Sequence, residues 1–298
     1  MIISGVEGLR DPFVLRADGS YYLYGTGVFD HKREDWENTA WVCYVNRSKR
    51  LDGPWEETAA LVYENPIGAT KNRWAPEVHE YHGAYYMFAT YYWEKTGHRG
   101  CAILKADSPG GPFTQITDGH ITPADWDAID GTLYIDPDGA PWMVFVHEWT
   151  STADGIGTMA AAKMSADLTH FVTEPVELFR ADSPNWSNHQ VTDGCFMYRT
   201  KNGTLLMLWS NFDADGYCVG IARSESGHIL GPWKQDDKRL FCKQDDGVYD
   251  GGHGMIFTDA DSKMYLCMHS PNCETEGQVE RTVFIPIQEE NNTLVMVS

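Results

Sequence analysis

The sequence predicts an all-β protein, a five-bladed β-propeller with four-stranded antiparallel blades around a central axial funnel. Short alternating runs of apolar and polar residues end at Gly, Asp or Asn turns, which is typical of strands and hairpins. No stretch of about 12 residues keeps the 3.6-residue period of a helix. One hairpin unit recurs five times along the 298 residues, and repetition at such a period is typical of a propeller.

Each hairpin unit consists of a polar residue, a short strand, a tight turn and an apolar or aromatic strand. The polar residues are 66, 53, 63 and 60 positions apart and are Asp11, Glu77, Asp130, Asp193 and His253. A β-sandwich is the alternative, but a sandwich gives no reason for a polar residue to begin every unit. The repeat therefore favours the propeller.

Further strands are expected to complete the blades. Outer-strand candidates follow the hairpins at 41–45, 100–105, 157–163 and 216–222. Segments 281–287 and 292–297 are expected to finish the last blade, and Met1–Val6 to help close the ring. No Pro- or Ser-rich linker divides the chain, so residues 1–298 are predicted to form a single propeller domain.

Composition excludes some partners. The chain has 23 Lys and Arg against 43 Asp and Glu, a net charge of −20. Nucleic acids and anionic membranes attract basic surfaces, so neither is an expected partner. Seven cysteines without a Cys-x-x-Cys pair indicate reduced structural thiols and a cytoplasmic protein. A secreted protein that had lost its leader would show the same features.

Propeller symmetry would gather the five polar residues at one rim of the axis. Bringing carboxylates together in a funnel is electrostatically costly. A scaffold gains nothing from that cost, so the cluster points to catalysis or to a bound cation.

The motifs at these positions resemble glycoside hydrolase family 43, whose members are five-bladed propeller enzymes acting on arabinan, xylan and galactan side chains. The resemblance covers residues 9 to 287. Its motifs are Arg10-Asp11-Pro12, Trp74-Ala75-Pro76-Glu77, Ile129-Asp130-Gly131, Thr192-Asp193-Gly194 and Gly251-Gly252-His253-Gly254.

The resemblance implies a glycosidase that inverts the anomeric centre with three carboxyl groups. Asp11 would be the general base that activates water, and Asp130 would raise the pKa of the acid and orient it. Asp193 would be the general acid. An inverting pair of carboxyls is separated by roughly 6.5–9.5 Å to admit a water, and residues across a funnel can span that distance.

One motif departs from the family pattern. The acid is usually Glu in a Glu-Gly-Pro context, whereas this chain has Asp193-Gly194-Cys195, and Asp is one methylene shorter. Glu148, which follows the second strand of the third unit, is an alternative acid. A protein that binds sugar without cleaving it is the third possibility.

The resemblance also suggests a hydrated axial metal ion, often calcium, near His253. Calcium prefers oxygen ligands, so contact through water is expected. A histidine bonded to the carboxylates without an ion is the alternative. No cofactor is expected to be required for the chemistry, and no zinc motif is present.

Aromatic residues near the motifs are candidates for sugar stacking. Trp74, Glu77, Trp149 and His253 are the predicted substrate-binding residues. Aromatics in the loops after blade strands could wall the pocket: Phe29, Trp36, Trp93, Trp126, Trp186 and Phe212.

The predicted function is exo-acting hydrolysis of plant-derived oligosaccharides. Arabinofuranosides, xylosides and galactosides stay open, and the oligomeric state is not indicated. Rival classes are a retaining fructosidase relative, which normally has Asn where this chain has Arg10, and a non-catalytic sugar-binding propeller. A protein-interaction propeller is disfavoured, because its blades repeat every ~40–45 residues with a Trp-Asp dipeptide.

Overall fold

Five antiparallel sheets make up the part of the chain that the structure, a computed structural model, describes: residues 1–27, 42–59, 68–187, 189–272 and 279–297. The predicted loop aromatics Phe29 and Trp36 lie outside these residues. Within them, the sheets form the five blades of a β-propeller, which confirms the predicted fold.

The blades follow one another along the chain, and in each the first strand lies next to the axis. Strand β1 (Ile2–Glu7) precedes the first blade. Blade 1 contains β2 (Leu9–Ala17), β3 (Ser20–Gly27), β4 (Val42–Ser48) and β5 (Glu56–Ala59). Blade 2 contains β6 (Ala69–Tyr81), β7 (Ala84–Trp93), β8 (His98–Ala106) and β9 (Thr114–Gln115). Blade 3 contains β10 (Ala128–Ile135), β11 (Pro141–His147), β12 (Thr158–Lys163) and β13 (Val176–Arg180).

The last two blades repeat this order. Blade 4 contains β14 (Asp193–Arg199), β15 (Leu205–Phe212), β16 (Tyr217–Ser224) and β17 (Trp233–Gln235). A four-residue helix, α1 (Lys243–Asp246), connects it to blade 5. Blade 5 contains β18 (Gly252–Thr258), β19 (Met264–Ser270), β20 (Arg281–Glu290) and β21 (Thr293–Met296). No helix among the described residues has the length and apolar character needed to cross a membrane.

The N-terminal strand closes the ring, as the sequence predicts. Strand β1 pairs with β20, with Ile2 opposite Phe284, and β21 pairs with the far end of the same strand. The final blade is therefore made from both ends of the described chain. Closure of this kind leaves the propeller few unpaired strand edges.

The second and third strands form the core between neighbouring blades. They are nearly continuous apolar runs because blades pack on both of their faces, and large side chains such as Trp209 and Phe145 are fully buried there. Five described cysteines are buried and unpaired: Cys101, Cys195, Cys218, Cys242 and Cys267.

Each inner strand carries a β-bulge at the same place. Two of its residues oppose one residue of the second strand, as between the pairs Arg10–Thr26 and Phe13–Tyr24 of blade 1. The first bulge residue has a left-handed φ in every blade, between +45° and +56°: Asp11, Ala75, Asp130, Gly194 and His253. Residues other than Gly are strained at a left-handed φ, and such strain clusters at functional sites.

Side chains of the second strands join the blades at these bulges. In four blades the bulge N–H donates to a side chain of the preceding blade. These bonds join Ala75 to Thr26 Oγ1 (2.8 Å), Asp130 to Thr90 Oγ1 (3.0 Å), His253 to Ser210 Oγ (2.8 Å) and Asp11 to His269 Nδ1 (3.2 Å).

The link from blade 3 to blade 4 differs. Val146 occupies the equivalent second-strand position, opposite Ile129, and a valine side chain cannot accept a hydrogen bond. The Gly194 N–H donates instead to Asp130 Oδ2 at 3.0 Å. The carboxyl of Asp130 is thus built into the ring of bonds between blades.

Candidate active site

The strand register corrects the predicted alignment of the five polar residues. Asp11, Asp130 and His253 occupy the same bulge position in their blades, but Glu77 and Asp193 do not. Asp193 lies one residue before the bulge, and Glu77 lies two residues after its first residue. The sequence pattern equates the first polar residue of each unit. The backbone hydrogen bonds between the first and second strands determine which positions of the five blades are structurally equivalent.

Glu77 consequently lies outside the cavity that the other predicted residues share. The Glu77 side chain is buried, and its Oε2 is 3.1 Å from His79 Nε2. It is absent from the residues that line the cavity. Glu77 is therefore separated from the other predicted site residues, and its contact with substrate stays a prediction.

A cavity of about 290 Å³ opens at the bulge end of the axis. Pockets for small ligands have volumes of roughly 300–1,000 Å³, so this one is at the small end of that range. The lining residues are Arg10, Asp11, Trp74, Ile129, Asp130, Glu148, Trp149, Asp193, Tyr217 and His253. The structure therefore brings all the predicted site residues except Glu77 together.

Asp11 is surrounded by groups that favour its charged form. Its Oδ2 accepts a bond from Thr26 Oγ1 at 2.8 Å, and its Oδ1 is 3.2 Å from His253 Nδ1. Burial alone would raise the pKa of Asp11, but His253, Arg10 and His269 outweigh it and hold the pKa below its ordinary value. Asp11 is thus an ionised carboxylate that can accept a proton.

Asp130 has the opposite balance. Burial, aided by the neighbouring Asp11 charge, raises the pKa of Asp130 to about 6, although His253 works against this. Its Oδ2 accepts the Gly194 N–H and lies 3.8 Å from His253 Nδ1. A Cβ at Gly194 would lie 2.7 Å from His253 Cγ, so glycine is needed for this approach.

Asp193 favours its neutral form more strongly. Burial and repulsion by Asp130 raise its pKa well above the ordinary value. Its Oδ2 accepts a hydrogen bond from the Tyr217 hydroxyl at 3.1 Å. Asp193 is therefore suited to hold a proton in the cavity where Asp11 has none.

Glu148, the alternative acid, is held by an arginine. Burial raises the pKa of Glu148 to about 7, although the Arg99 charge lowers it. Arg99 Nε donates to Glu148 Oε2 at 2.6 Å, and Arg99 lies over the Trp74 ring, 5.6 Å from its centre. Because the pKa values of both carboxyls are raised, only their contacts separate the two candidates.

His253 faces carboxylates rather than an open metal site. Its Nδ1 lies between Asp11 and Asp130, and an ionised carboxylate accepts but does not donate, so Nδ1 carries the proton there. The described residues contain no group of three or more His, Cys, Asp or Glu that could hold a metal ion. These side chains do not form a calcium site by themselves, and axial calcium stays a prediction.

The predicted aromatic residues lie in different surroundings. Trp74 and Trp149 are partly exposed and line the cavity. Trp93 and Trp186 are 3% and 8% exposed and belong to the packing of the blades, so they do not wall the pocket as expected. Trp126 stacks on His147 with ring centres 3.7 Å apart.

Sequence reasoning missed Arg10, Arg99 and Tyr217 as site residues. Arg10 is paired with the buried Glu280, at 3.0 Å, and with Asn272. Its position next to Asp11 in the sequence could have indicated that it lies at the site. Tyr217 begins the third strand of blade 4, and Arg99 lies in the third strand of blade 2. Nothing in one sequence marks such residues as neighbours of the axis.

Comparison with known proteins agrees with this fold. The family model described as glycosyl hydrolases family 43 matches residues 6–290. The endo-arabinase structure from Bacteroides thetaiotaomicron is 35% identical, with a TM-score of 0.81 and coverage of 98% of both chains. A thermostable family-43 glycoside hydrolase has a TM-score of 0.85 at 23% identity, covering 99% of this chain and 95% of that one, which shows the shared fold.

The chain belongs to glycosyl hydrolases family 43. Among curated proteins, it is similar to the probable arabinan endo-1,5-alpha-L-arabinosidase B of Aspergillus fumigatus. The two are 28% identical over 168 residues, which are 48% of this chain and 38% of that protein. The alignment thus spans well under half of the fungal protein.

Proposed function

We propose that this protein hydrolyses α-L-arabinofuranosyl linkages of plant arabinan by inversion at the anomeric carbon. The observation that carries the proposal is the separation of pKa values in one cavity: Asp11 below its ordinary value and Asp193 well above it. Carboxyls whose environments push their pKa values apart are suited to act as base and acid. Arabinan is favoured because the 35% identical structure is an endo-arabinase and the Aspergillus fumigatus relative is named a probable arabinan endo-1,5-alpha-L-arabinosidase.

In the proposed reaction, Asp11 accepts a proton from water, whose oxygen attacks the anomeric carbon. Asp193 gives its proton to the glycosidic oxygen as the bond to the anomeric carbon breaks and the electron pair stays on that oxygen. Asp130 raises the pKa of Asp193 by like-charge repulsion, and Trp74 and Trp149 offer ring faces to the sugar. No step depends on a metal ion.

Glu148 is not the acid in this proposal. Its short bond from Arg99 favours the charged carboxylate, whereas the acid must be neutral before the reaction. We assign Glu148 to the binding of sugar hydroxyls, with Arg99 holding it in place.

Exo action stays a prediction. The small cavity favours it, whereas the names of the relatives favour endo action. Chromatography of products from linear 1,5-arabinan tests it: exo action releases one product size from the start, and endo action releases a range of oligomers.

The central experiment is a substrate panel of aryl α-L-arabinofuranoside, β-D-xyloside and β-D-galactoside. We expect the arabinofuranoside to be hydrolysed fastest and Asp11→Asn to abolish its turnover. The matched control is Asp18→Asn, an exposed turn residue of the same blade that should leave activity unchanged. Turnover surviving in Asp11→Asn, or sugar binding without turnover by the native protein, would contradict the proposal.

A further inference from the structure

Tyr217 is fixed in place from three sides. It begins β16, and its backbone N–H donates to Asp250 Oδ2 at 3.0 Å. Its ring stacks on His269 with centres 5.7 Å apart. A Cβ at Gly252 of the next blade would lie 2.3 Å from the ring, so this glycine makes room for it. The phenol is therefore buried and held rigidly, although it lines the cavity.

The hydroxyl of this tyrosine is the hydrogen-bonding partner of Asp193. Its bond to Oδ2 is 3.1 Å long, and it is the one hydrogen bond to the Asp193 carboxyl from the residues that the structure describes. Asp11 is held instead by Thr26, and Asp130 by the Gly194 N–H. The rotation of the Asp193 carboxyl therefore depends on Tyr217.

We propose that Tyr217 is a positioning residue that selects which oxygen of Asp193 carries the transferable proton. A neutral carboxyl has one O–H, and the oxygen that accepts the bond from Tyr217 is left as its carbonyl oxygen. The proton is then carried by Oδ1. In the reaction, the Oδ1–H bond breaks, the proton goes to the glycosidic oxygen, and Tyr217 keeps its own proton. This inference rests on the proposed role of Asp193 as the acid.

The test is Tyr217→Phe, which removes the hydroxyl and keeps the ring. Correct placement of a general acid is needed most when the leaving group is poor, and general acids contribute about 10²–10⁴-fold. We expect kcat for phenyl α-L-arabinofuranoside to fall roughly tenfold to hundredfold, a partial loss of that contribution. The kcat for the dinitrophenyl substrate should change less than about twofold, and KM should stay the same for both.

Phe212→Leu is the matched control. Phe212 packs on the Tyr217 ring with centres 5.0 Å apart and makes no bond to Asp193 through its side chain. A loss that comes only from disturbed packing would be the same for both leaving groups. If Tyr217→Phe slows both substrates equally, or neither, the proposal is wrong.

A double variant tests whether Tyr217 acts through Asp193. In an Asp193→Asn background, Tyr217→Phe should cause no further loss on the phenyl substrate, because the proton donor is already absent. Losses that multiply would overturn the proposal. Failure of the proposed function is a separate result, since the native protein would then hydrolyse neither aryl arabinofuranoside.

Discussion

At the residue scale, the site depends on carboxyls with different surroundings. Asp11 has a hydroxyl and an imidazole as neighbours, whereas Asp193 has another carboxyl and a phenol. Both carboxyl groups are partly buried, so burial does not distinguish them; hydrogen bonds and neighbouring charges do. The base and acid roles follow from these contacts.

The choice between the two acid candidates can be tested directly. Asp193→Asn should reduce kcat for poor aryl leaving groups by about 10²–10⁴-fold and affect good ones far less. Glu148→Gln should raise KM with little dependence on the leaving group, because we assign Glu148 to sugar binding. Kinetics with phenyl and dinitrophenyl arabinofuranosides measure both. The opposite assignment would show leaving-group dependence in the Glu148 variant.

The raised pKa of Glu148 also predicts how the stability of the folded protein depends on pH. Its pKa of about 7 in the folded protein is above the ~4.3 of an unfolded chain. The folded state therefore binds more protons between these values, and this contribution to stability is lost as pH rises through 7. The free energy of unfolding should fall by about 2.5 kcal/mol from pH 5 to pH 8 through this group.

Urea unfolding at several pH values measures this effect. The fall should be smaller in Glu148→Gln, which has no titrating carboxyl at that position. Glu174→Gln, at an exposed site, should follow the native protein. An unchanged pH dependence in Glu148→Gln would show that Glu148 is not the source.

At the element scale, the repeated bulge does two tasks. Its left-handed residue turns Asp11, Asp130 and His253 toward the axis, and its N–H joins each blade to the one before. The link from blade 3 to blade 4 is the exception. Val146 of blade 3 has no side-chain acceptor, so the Asp130 carboxyl accepts the Gly194 N–H instead. The same β-bulge thus contributes both to ring closure and to the placement of the catalytic groups.

A pair of buried threonines tests the structural task. Thr90→Val removes the acceptor for the Asp130 N–H and should cost about 1–3 kcal/mol, the penalty for an unsatisfied buried donor. Thr132→Val is the matched control, because Thr132 Oγ1 is buried without a hydrogen-bond partner among the described residues. The control should be neutral or stabilising. Equal destabilisation by the two variants would contradict a role for Thr90 in joining the blades.

Strand order and hairpins were predictable from local sequence patterns, whereas the bulge register was not. Alternating runs and turn residues mark each strand, and they indicated all five units. Glu77 and Asp193 were placed one or two positions wrongly, because polarity alone does not show where two residues oppose one. The side chains that act across blades, such as Tyr217 and Arg99, have no local signal because their contacts form only when the ring closes.

At the scale of the whole molecule, ring closure creates the site. Its carboxyls come from blades 1, 3 and 4, and β1 joins blade 5 to the start of the chain. The net charge of −20 is mainly a surface property, and surface charge is largely screened at physiological salt. The few carboxyls on the axis are largely shielded from solvent, so burial and the charges beside them set their pKa values.

The most direct test of the central claim is the stereochemistry of the first product. Proton NMR during early hydrolysis of an α-1,5-linked arabino-oligosaccharide distinguishes the anomers before they interconvert. Attack by water activated at Asp11, with proton donation from Asp193, predicts the β-anomer first. The α-anomer first would mean retention through a covalent intermediate, and it would contradict the assignment of Asp11 and Asp193 as base and acid.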